Sequence, residues 1–136
     1  IFCIYLDTAS TRNRRACFRK IQAHLNSPIR SLSIMAGDWN FVEQKHDRLN
    51  LVSGEFSGDA NCNAEDSTLF QELVVQKFGF HEMSQPYFTY QDPQSRSKLD
   101  RIYTNQHTSC QLDNNISCIA LPWTTASRHR PIFFTS

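Results

Sequence analysis

The first 36 residues alternate between apolar runs and one helical pattern, and this order restricts the fold more than any other feature. Ile1 to Leu6 is a short apolar run of the kind that forms a buried strand. Residues 11–25 carry apolar side chains at helical spacing, and Ser31 to Ala36 returns to a strand-like run. Strand, helix and strand at this spacing predict a βαβ unit, with ligand-binding loops at the carboxyl ends of its strands.

The rest of the chain predicts one further helix and a mainly β second half. Leu69 to Phe78 has helical periodicity, with Asp66 or Ser67 as a candidate N-cap and Gly79 as the C′ residue. Phe41 to Asp66 has little periodicity and predicts a long loop. The remaining predicted strands are Tyr87–Tyr90, Leu99–Thr104, Ile116–Leu121 and Pro131–Phe134. Trp39 and the apolar face of the second helix are expected in the core.

Length and composition predict one globular domain. The chain has 136 residues and ten phenylalanines, and its longest apolar stretch is far shorter than the roughly 20 residues that cross a bilayer. We therefore expect no membrane partner. Five cysteines without a Cys-x-x-Cys pair favour reduced, mostly buried thiols in an intracellular protein. With no Met or leader before the first strand, we expect a fragment of a longer protein.

Charge is unevenly distributed along the chain. Residues 1–36 are rich in arginine and lysine, whereas residues 37–85 are rich in aspartate and glutamate. A basic edge beside an acidic pocket suits a polyanion and a metal ion. A solvated helix face explains the arginine cluster equally well.

Three polar segments stand next to predicted strands and gather the side chains suited to chemistry. They are residues 37–40 (Gly-Asp-Trp-Asn), 98–103 (Lys-Leu-Asp-Arg-Ile-Tyr) and 127–131 (Ser-Arg-His-Arg-Pro). We expect two carboxylates, an amide and an imidazole to meet at one sheet edge. A carboxylate and an amide one residue apart in an extended strand can reach the same phosphate or water. Alone, Gly-Asp-x-Asn is also typical of a turn in which the aspartate binds its own backbone.

In this order, the three segments resemble the motifs of the endonuclease/exonuclease/phosphatase superfamily of metal-dependent phosphodiesterases. These are a Gly-Asp-x-Asn loop, a later Leu-Asp box and a final Ser-Asp-His. Residues 37–42, Asp47-Arg48 and residues 99–103 are similar to the apurinic-like endonucleases of LINE-type retrotransposons. The resemblance implies that residues 1–136 are the C-terminal portion of a four-layered α/β sandwich, two mixed β-sheets packed between helices, with the N-terminal part missing.

The resemblance also implies a function and its partners. It implies endonuclease-like hydrolysis of phosphodiester bonds in DNA with Mg²⁺ or Mn²⁺ as cofactor. A reverse transcriptase domain in the same polyprotein and a nuclear location are further implications.

Matching positions imply the roles of individual residues. Asp38 would orient and deprotonate the attacking water, and Asn40 would hold the scissile phosphate; the same two residues are the candidate metal ligands. Asp100 would hydrogen-bond His129, which stabilises the charge of the phosphate or receives protons. Tyr5 matches a tyrosine close to the phosphate, although an aromatic residue ending a core strand is an equal alternative.

Basic and aromatic side chains are the expected DNA contacts. The basic ones are Arg15, Arg96, Arg101, Arg128 and Arg130, and Tyr87, Tyr90 or Trp123 would lie near a groove or a flipped nucleotide.

Two departures from the family leave other functions open. The metal ligands that the family carries near its N-terminus would precede Ile1, and Arg128 replaces the aspartate of Ser-Asp-His. A cation there would weaken a metal site, or would grip phosphate directly. An inactive nucleic-acid-binding remnant and a phosphatase of the same superfamily are therefore the alternatives to a nuclease.

Overall fold

The computed structural model describes residues 1–25, 32–58, 64–105 and 117–135, and the fold is given for these ranges. Within them, short strands outnumber helices. In chain order the elements are β1 (Phe2–Tyr5), α1 (Thr11–Leu25), β2 (Ile34–Asp38), a 3-10 turn (Lys45–Asp47), β3 (Arg48–Asn50), α2 (Ala64–Phe70) with a π-helical continuation (Gln71–Gln76), β4 (His81–Glu82), β5 (Tyr90–Gln91), β6 (Ser95–Ser97), β7 (Asp100–Thr104), β8 (Ser117–Ala120) and β9 (Ile132–Thr135).

The strands form a four-stranded sheet in the order β1-β2-β7-β4, a three-stranded sheet in the order β3-β6-β5, and a two-stranded ladder of β8 and β9. β1 and β2 are parallel neighbours joined by α1, which confirms the predicted βαβ unit. β7 pairs antiparallel with β2 and β4, so the four-stranded sheet is mixed. The other described ladders are antiparallel. The predicted α/β class is confirmed, and of the two mixed sheets that were expected, the described residues form one.

Side chains of β2 and β7 cover both faces of the four-stranded sheet, because successive residues of a strand point to opposite sides. Met35 and Tyr103 belong to the larger core cluster, which includes Phe70 of α2. Ile102 belongs to a second cluster with Cys118 of β8. The helices therefore cover one face of this sheet and the β8–β9 ladder covers part of the other.

Trp39 is fully buried directly after β2, which confirms its predicted place in the core. Its ring packs against Phe41, Phe70 and Tyr103, with centroid separations of 6.2, 4.5 and 5.0 Å. Its indole Nε1–H donates to the backbone oxygen of Arg101 at 3.1 Å. The buried ring thus fixes the loop after β2 against β7.

The second predicted helix is present, but it starts earlier than its sequence pattern indicates. α2 begins at Ala64, so Asp66 lies within the first turn and is not the N-cap. Gly79 has a φ of +67° and ends the helical segment as predicted. The N–H of Phe80 donates to the carbonyl of Val75 at 3.0 Å, which is the long hydrogen bond of a Schellman cap.

The prediction of one long loop over Phe41–Asp66 is wrong in part. The 3-10 turn and β3 lie inside this range, and β3 pairs with β6. Both strands are three residues long and mostly polar, so neither gives a periodic pattern. Residues 59–63 lie outside the described residues, as do Ser31 and Ile116 at the ends of two predicted strands.

The cysteines in the described ranges, Cys3, Cys17 and Cys118, are free thiols. Cys118 is buried, Cys17 is half-buried and Cys3 is exposed. Cys62 and Cys110 lie outside the described residues.

A buried ion pair joins the two helices. The Arg14 guanidinium of α1 is buried, and its Nε lies 2.7 Å from Oδ2 of Asp66 in α2. The same guanidinium donates to the carbonyls of Asp7 and Thr8 and to the hydroxyl of Thr11. One side chain therefore binds two carbonyls of the loop between β1 and α1, a hydroxyl in the first turn of α1 and the carboxylate of α2.

We expect Arg14→Met to destabilise the fold by about 3–5 kcal/mol, because it leaves the Asp66 carboxylate buried with one fewer cation. Urea unfolding followed by circular dichroism measures the change. Arg19→Met, the same substitution at an exposed position of α1, is the matched control and should change stability by less than about 0.5 kcal/mol. Equal effects of the two substitutions would contradict a structural role for the ion pair.

Candidate active site

The pairing of β2 with β7 brings two carboxylates together. Asp38 is the last residue of β2, Asp100 is the first residue of β7, and the two are Cα partners in the antiparallel register. Facing residues of such a pair project to the same side of the sheet. Tyr5 is in turn the Cα partner of Asp38 in the parallel pair of β1 and β2. The three residues form one row at the carboxyl ends of β1 and β2, and this end of the sheet is the edge on which the site lies.

Gly37 makes the close approach of β1 and β2 possible at this edge. Its φ is +149°, and a Cβ atom added there would lie 1.8 Å from the backbone oxygen of Ile4. A side chain at position 37 would therefore push apart the strands that align Tyr5 and Asp38.

His129 completes the cluster from a different part of the chain. Its Nδ1 lies 2.9 Å from Oδ2 of Asp100, and its Nε2 lies 3.9 Å from Oδ2 of Asp38. The imidazole packs on the Tyr90 ring, with 4.9 Å between centroids. The hydrogen bond predicted between Asp100 and His129 is thus present, and the predicted meeting of two carboxylates and an imidazole is confirmed geometrically.

The main chain around His129 is held by backbone hydrogen bonds. Residues 128–130 run antiparallel to residues 89–91, with Tyr90 and His129 forming a bridge. The N–H of Arg130 donates to the carbonyl of Thr89, and the N–H of Gln91 donates to the carbonyl of Arg128, both at 2.9 Å. His129 therefore enters the site as an extension of the three-stranded sheet, whereas Asp38 and Asp100 belong to the four-stranded one.

The electrostatics of the site favour a proton or a cation between the carboxylates. Burial raises the pKa of Asp38, and the neighbouring Asp100 carboxylate raises it further; the Asn40 N–H and His129 oppose the rise without cancelling it. Since a carboxylate only accepts hydrogen bonds, the Asp100 contact places a proton on Nδ1 of His129. Nε2 then faces Asp38 and the open edge of the site.

The three side chains also satisfy the spacing of metal ligands. One donor atom from each of Asp38, Asp100 and His129 lies within 4.8 Å of the others. The side chains are 13%, 17% and 37% exposed, so the cluster is accessible from solvent. Carboxylate oxygens are the preferred ligands of Mg²⁺, and Mn²⁺ also accepts an imidazole.

Asn40 lies beside the cluster in a different conformation from the one predicted. Its φ is +49°, so the chain turns here and is not an extended strand. Its N–H donates to Oδ1 of Asp38 at 2.9 Å, the backbone turn that the sequence left as an alternative. Its side-chain amide donates to the carbonyl of Leu6 at 2.6 Å. The same amide also reaches the Asp38 carboxylate and opposes the rise in its pKa.

Tyr5 is exposed, with 75% of its surface accessible. Tyr5 ends β1, a strand whose Ile4 lies in the core, as the alternative predicted, but its own ring is not part of that core. Its place in the row with Asp38 and Asp100 leaves a role at the phosphate as a prediction.

The prediction that Arg101 contacts nucleic acid is wrong. Arg101 is 1% exposed, and its guanidinium lies 2.7 Å from Asp47 and 2.9 Å from Glu82. Lys98 also pairs with Glu82, at 2.6 Å. Although burial alone would raise the pKa of Asp47, Arg101 and the N–H groups of Gln44 and Glu43 outweigh it and lower that pKa. Strand alternation explains the error, since Arg101 points away from the face of its neighbour Asp100.

The other arginines that were predicted to contact DNA lie in two places, between the helices and near the site. Arg15 pairs with Glu65 at 2.7 Å and with Asp66 at 2.9 Å, and so belongs to the contact between α1 and α2. Arg96 donates to the side chain of Gln91 at 3.0 Å. Arg128 is exposed directly beside His129 in the chain.

Arg130 is held between two aromatic rings. Its guanidinium carbon lies 5.3 Å from the ring centre of Tyr87 and 4.8 Å from that of Trp123. Its Nε donates to the carbonyl of Phe88. Burial and the nearby Arg96 guanidinium lower the pKa of Arg130. Two guanidinium groups therefore lie close together at this edge.

Two buried polar residues that support Asp100 were not found from the sequence. The side-chain amide of Gln85 donates to the carbonyl of Asp100, and the hydroxyl of Thr89 accepts the Asp100 N–H. Both stand in the short segment before β5 and repeat in no pattern, so only the fold reveals their partners.

A cavity of about 370 Å³ lies beside the cluster and is a separate feature. Its walls come from Gln44, His46, Asp47, Phe56, Gln85 to Phe88 and Lys98. Asp38, Asp100 and His129 do not line it. The chemistry-bearing side chains therefore lie at an open sheet edge and not inside this cavity.

No protein-family model matches the chain, and no curated protein sequence matches it either. The resemblance drawn from the three polar segments thus stays a prediction. None of the helices in the described ranges has both the length and the apolar character that a membrane crossing requires.

We expect Asp38→Asn to stabilise the protein by about 0.5–2 kcal/mol at neutral pH. The raised pKa means that the folded state holds the Asp38 proton more tightly than the unfolded chain does. Ionising Asp38 therefore costs stability once the pH exceeds the ordinary aspartate range, and costs nothing below it. An amide removes this cost and can still accept the Asn40 N–H.

Urea unfolding at several pH values measures the difference between the variant and the parent chain. It should be near zero at low pH and grow as the pH rises through the pKa of the folded state. A variant less stable than the parent at neutral pH would show that ionised Asp38 is fully compensated.

Proposed function

We propose that this protein hydrolyses phosphodiester bonds in DNA with the help of a divalent cation. The observation that carries the proposal is the cluster of Asp38, Asp100 and His129, whose donor atoms lie within 4.8 Å of one another at an accessible edge. Phosphodiester hydrolysis needs a positioned water, a proton acceptor and neutralisation of the phosphate oxygens. The cluster and its arginines provide groups for each requirement.

Asp38 is the proposed proton acceptor. Its raised pKa makes its carboxylate a better base than an ordinary surface aspartate. Its Oδ1 is fixed by the Asn40 N–H, so Oδ2 is the oxygen that faces His129 and the site. In the proposed step, the water oxygen bonds to phosphorus and the water gives a proton to Asp38, while the bond between phosphorus and the leaving oxygen breaks and that oxygen takes a proton from His129.

His129 is the proposed partner of the phosphate. Asp100 holds Nδ1 and so fixes the orientation of the ring. Nε2 remains, and when protonated it donates to a phosphate oxygen or to the departing oxygen. Replacing either member of this pair removes the fixed orientation or the donor.

The donor set fits a divalent cation, and the Asp38 and Asp100 carboxylates would hold it. Such a cation neutralises charge on the phosphate and on the leaving oxygen. Asp38 and Asp100 are fixed in register, and burial together with the Asp100 carboxylate raises the pKa of Asp38; a cation stabilises such a pair of carboxylates. The oxygens suit Mg²⁺, and the adjacent imidazole makes Mn²⁺ an equally good fit.

The surroundings of the cluster favour a polymer over a small phosphoester. Arg128 and Arg130 flank His129 in the chain, Arg96 lies near Arg130, and the rings of Tyr87 and Trp123 contact the Arg130 guanidinium. Guanidinium groups pair with successive phosphates, and exposed rings stack on bases. An open edge with this composition suits a DNA backbone lying across it.

Nicking of supercoiled plasmid in the presence of Mn²⁺ or Mg²⁺ tests the proposed reaction. We expect Asp38→Asn and His129→Gln each to reduce the nicking rate by about 100-fold or more, since each removes a group that acts on a proton in the transition state. EDTA should abolish nicking. Glu55→Gln, a carboxylate-to-amide change at an exposed position outside the cluster, is the control and should nick like the parent chain.

Other outcomes identify the alternatives. DNA binding without nicking by the parent chain would indicate an inactive nucleic-acid-binding remnant. Release of nitrophenol from p-nitrophenyl phosphate without nicking would indicate a phosphatase.

The arginines beside the site should set the salt dependence of DNA binding. We expect Arg128→Gln to weaken binding to DNA of any sequence and to reduce the slope of log K against log salt by about one. Fluorescence anisotropy with a labelled duplex at several salt concentrations measures this slope. Lys77→Gln, an exposed charge after α2, is the control, and an equal loss of slope in both variants would place the DNA elsewhere.

A further inference from the structure

Thr89 is a buried threonine that hydrogen-bonds the main chain at Asp100 and at Arg130, the residue after His129. It is completely shielded from solvent and directly precedes β5. Its hydroxyl oxygen accepts the N–H of Leu99 at 3.0 Å and the N–H of Asp100 at 2.9 Å. One side chain thus takes two successive backbone donors at the start of β7.

These two donors need a side-chain partner because the chain changes sheets here. Ser97 ends β6 in the three-stranded sheet, and Asp100 begins β7 in the four-stranded sheet. The carbonyl of Leu99 already accepts the Trp39 N–H at 2.9 Å. Buried backbone N–H groups at such a crossing must find partners outside a regular ladder, and the Thr89 hydroxyl is that partner.

The backbone of Thr89 holds the segment that carries His129. Its carbonyl accepts the Arg130 N–H at 2.9 Å, and its own N–H donates to the carbonyl of Ser97 at 2.9 Å. The next residue, Tyr90, packs its ring on the His129 imidazole. Thr89 and its neighbour Tyr90 therefore link the start of β7 to the segment that carries His129.

We infer that Thr89 is a positioning residue, which holds Asp100 and His129 in hydrogen-bonding register across the junction of the two sheets. It acts through the backbone N–H groups of Asp100 and of Arg130, the residue after His129. Without its hydroxyl, the N–H groups of Leu99 and Asp100 lose their acceptor, and the start of β7 moves relative to residues 128–130. The contribution to catalysis rests on the proposed function, whereas the geometric role does not.

The tautomer of His129 reports directly whether Asp100 and His129 are aligned for their hydrogen bond. In the full 136-residue chain, the imidazole ¹⁵N shifts of neutral His129, assigned by their loss in His129→Gln, should show the proton on Nδ1. Thr89→Val keeps the shape and removes the acceptor, and we expect it to shift the proton toward Nε2. Thr89→Ser keeps the hydroxyl and should restore the Nδ1 tautomer. A merely structural threonine would not move this signal.

Thr104→Val is the matched control, because it makes the same change at a buried threonine at the far end of β7. It should leave the tautomer unchanged. A folded Thr89→Val chain with the parent tautomer would overturn the inference. If Thr89→Val does not fold, amide hydrogen exchange of the parent chain decides: slow exchange at Leu99 and Asp100 is expected, and exchange as fast as at exposed loops would overturn it.

Nicking kinetics separate this inference from the proposed function. In a chain that nicks DNA, Thr89→Val should lower kcat with little change in KM, and Thr89→Ser should recover it. An unchanged kcat together with a changed tautomer would remove the catalytic part of the inference. In a chain that does not nick, the proposed function fails, while the tautomer measurement still supports or overturns the positioning role.

Discussion

The antiparallel register between β2 and β7 is the constraint on which the site depends. It makes Asp38 and Asp100 Cα partners, so that both carboxylates project from the same face. A slip of one residue would send one of them to the opposite face. Trp39 prevents this slip by binding both neighbours of Asp100. Its backbone N–H donates to the carbonyl of Leu99, and its indole N–H donates to the carbonyl of Arg101. The buried indole is thus part of the core and also the element that aligns the carboxylates.

The carboxylates of the chain differ in what neutralises them. Asp66 and Asp47 are buried, and each has an arginine partner at 2.7 Å. Within the described ranges, the ion pairs of Asp38 and Asp100 are with His129 alone. His129 lowers the pKa of Asp38, but burial and the neighbouring Asp100 carboxylate outweigh it, so that this pKa is raised. An arginine in place of His129 would stabilise the fold. It would also fill the space that a cation or a phosphate needs, and it would neutralise the carboxylate charge that attracts a cation.

Sequence patterns predict the βαβ unit, the second helix and the meeting of Asp38, Asp100 and His129, because each depends on local periodicity or on strand ends. They do not predict β3 and β6, whose pairing arises between short polar segments far apart in the chain. They also misplace Arg101, since the pattern shows a basic residue beside Asp100 but not the buried acids that it meets across the fold. Thr89 shows the same limit: a single hydroxyl in an aromatic segment has no meaning until the chain crossing beside it is known.

The buried Arg101 network shows how the junction between the sheets is kept in place beneath the site. Arg101 lies on β7, and its partner Asp47 ends the turn that leads into β3 of the three-stranded sheet. The carbonyl of Asp47 also accepts the Lys98 N–H, in the segment that joins β6 to β7. A buried ion pair adds little net stability compared with apolar packing, but it permits only one arrangement of its partners. Asp100 and His129 come from different sheets, so their contact survives only if those sheets keep one relative position. The Arg101 side chain therefore supports the site from the opposite face of the sheet. It fixes the relative position of the two sheets and does not bind the substrate.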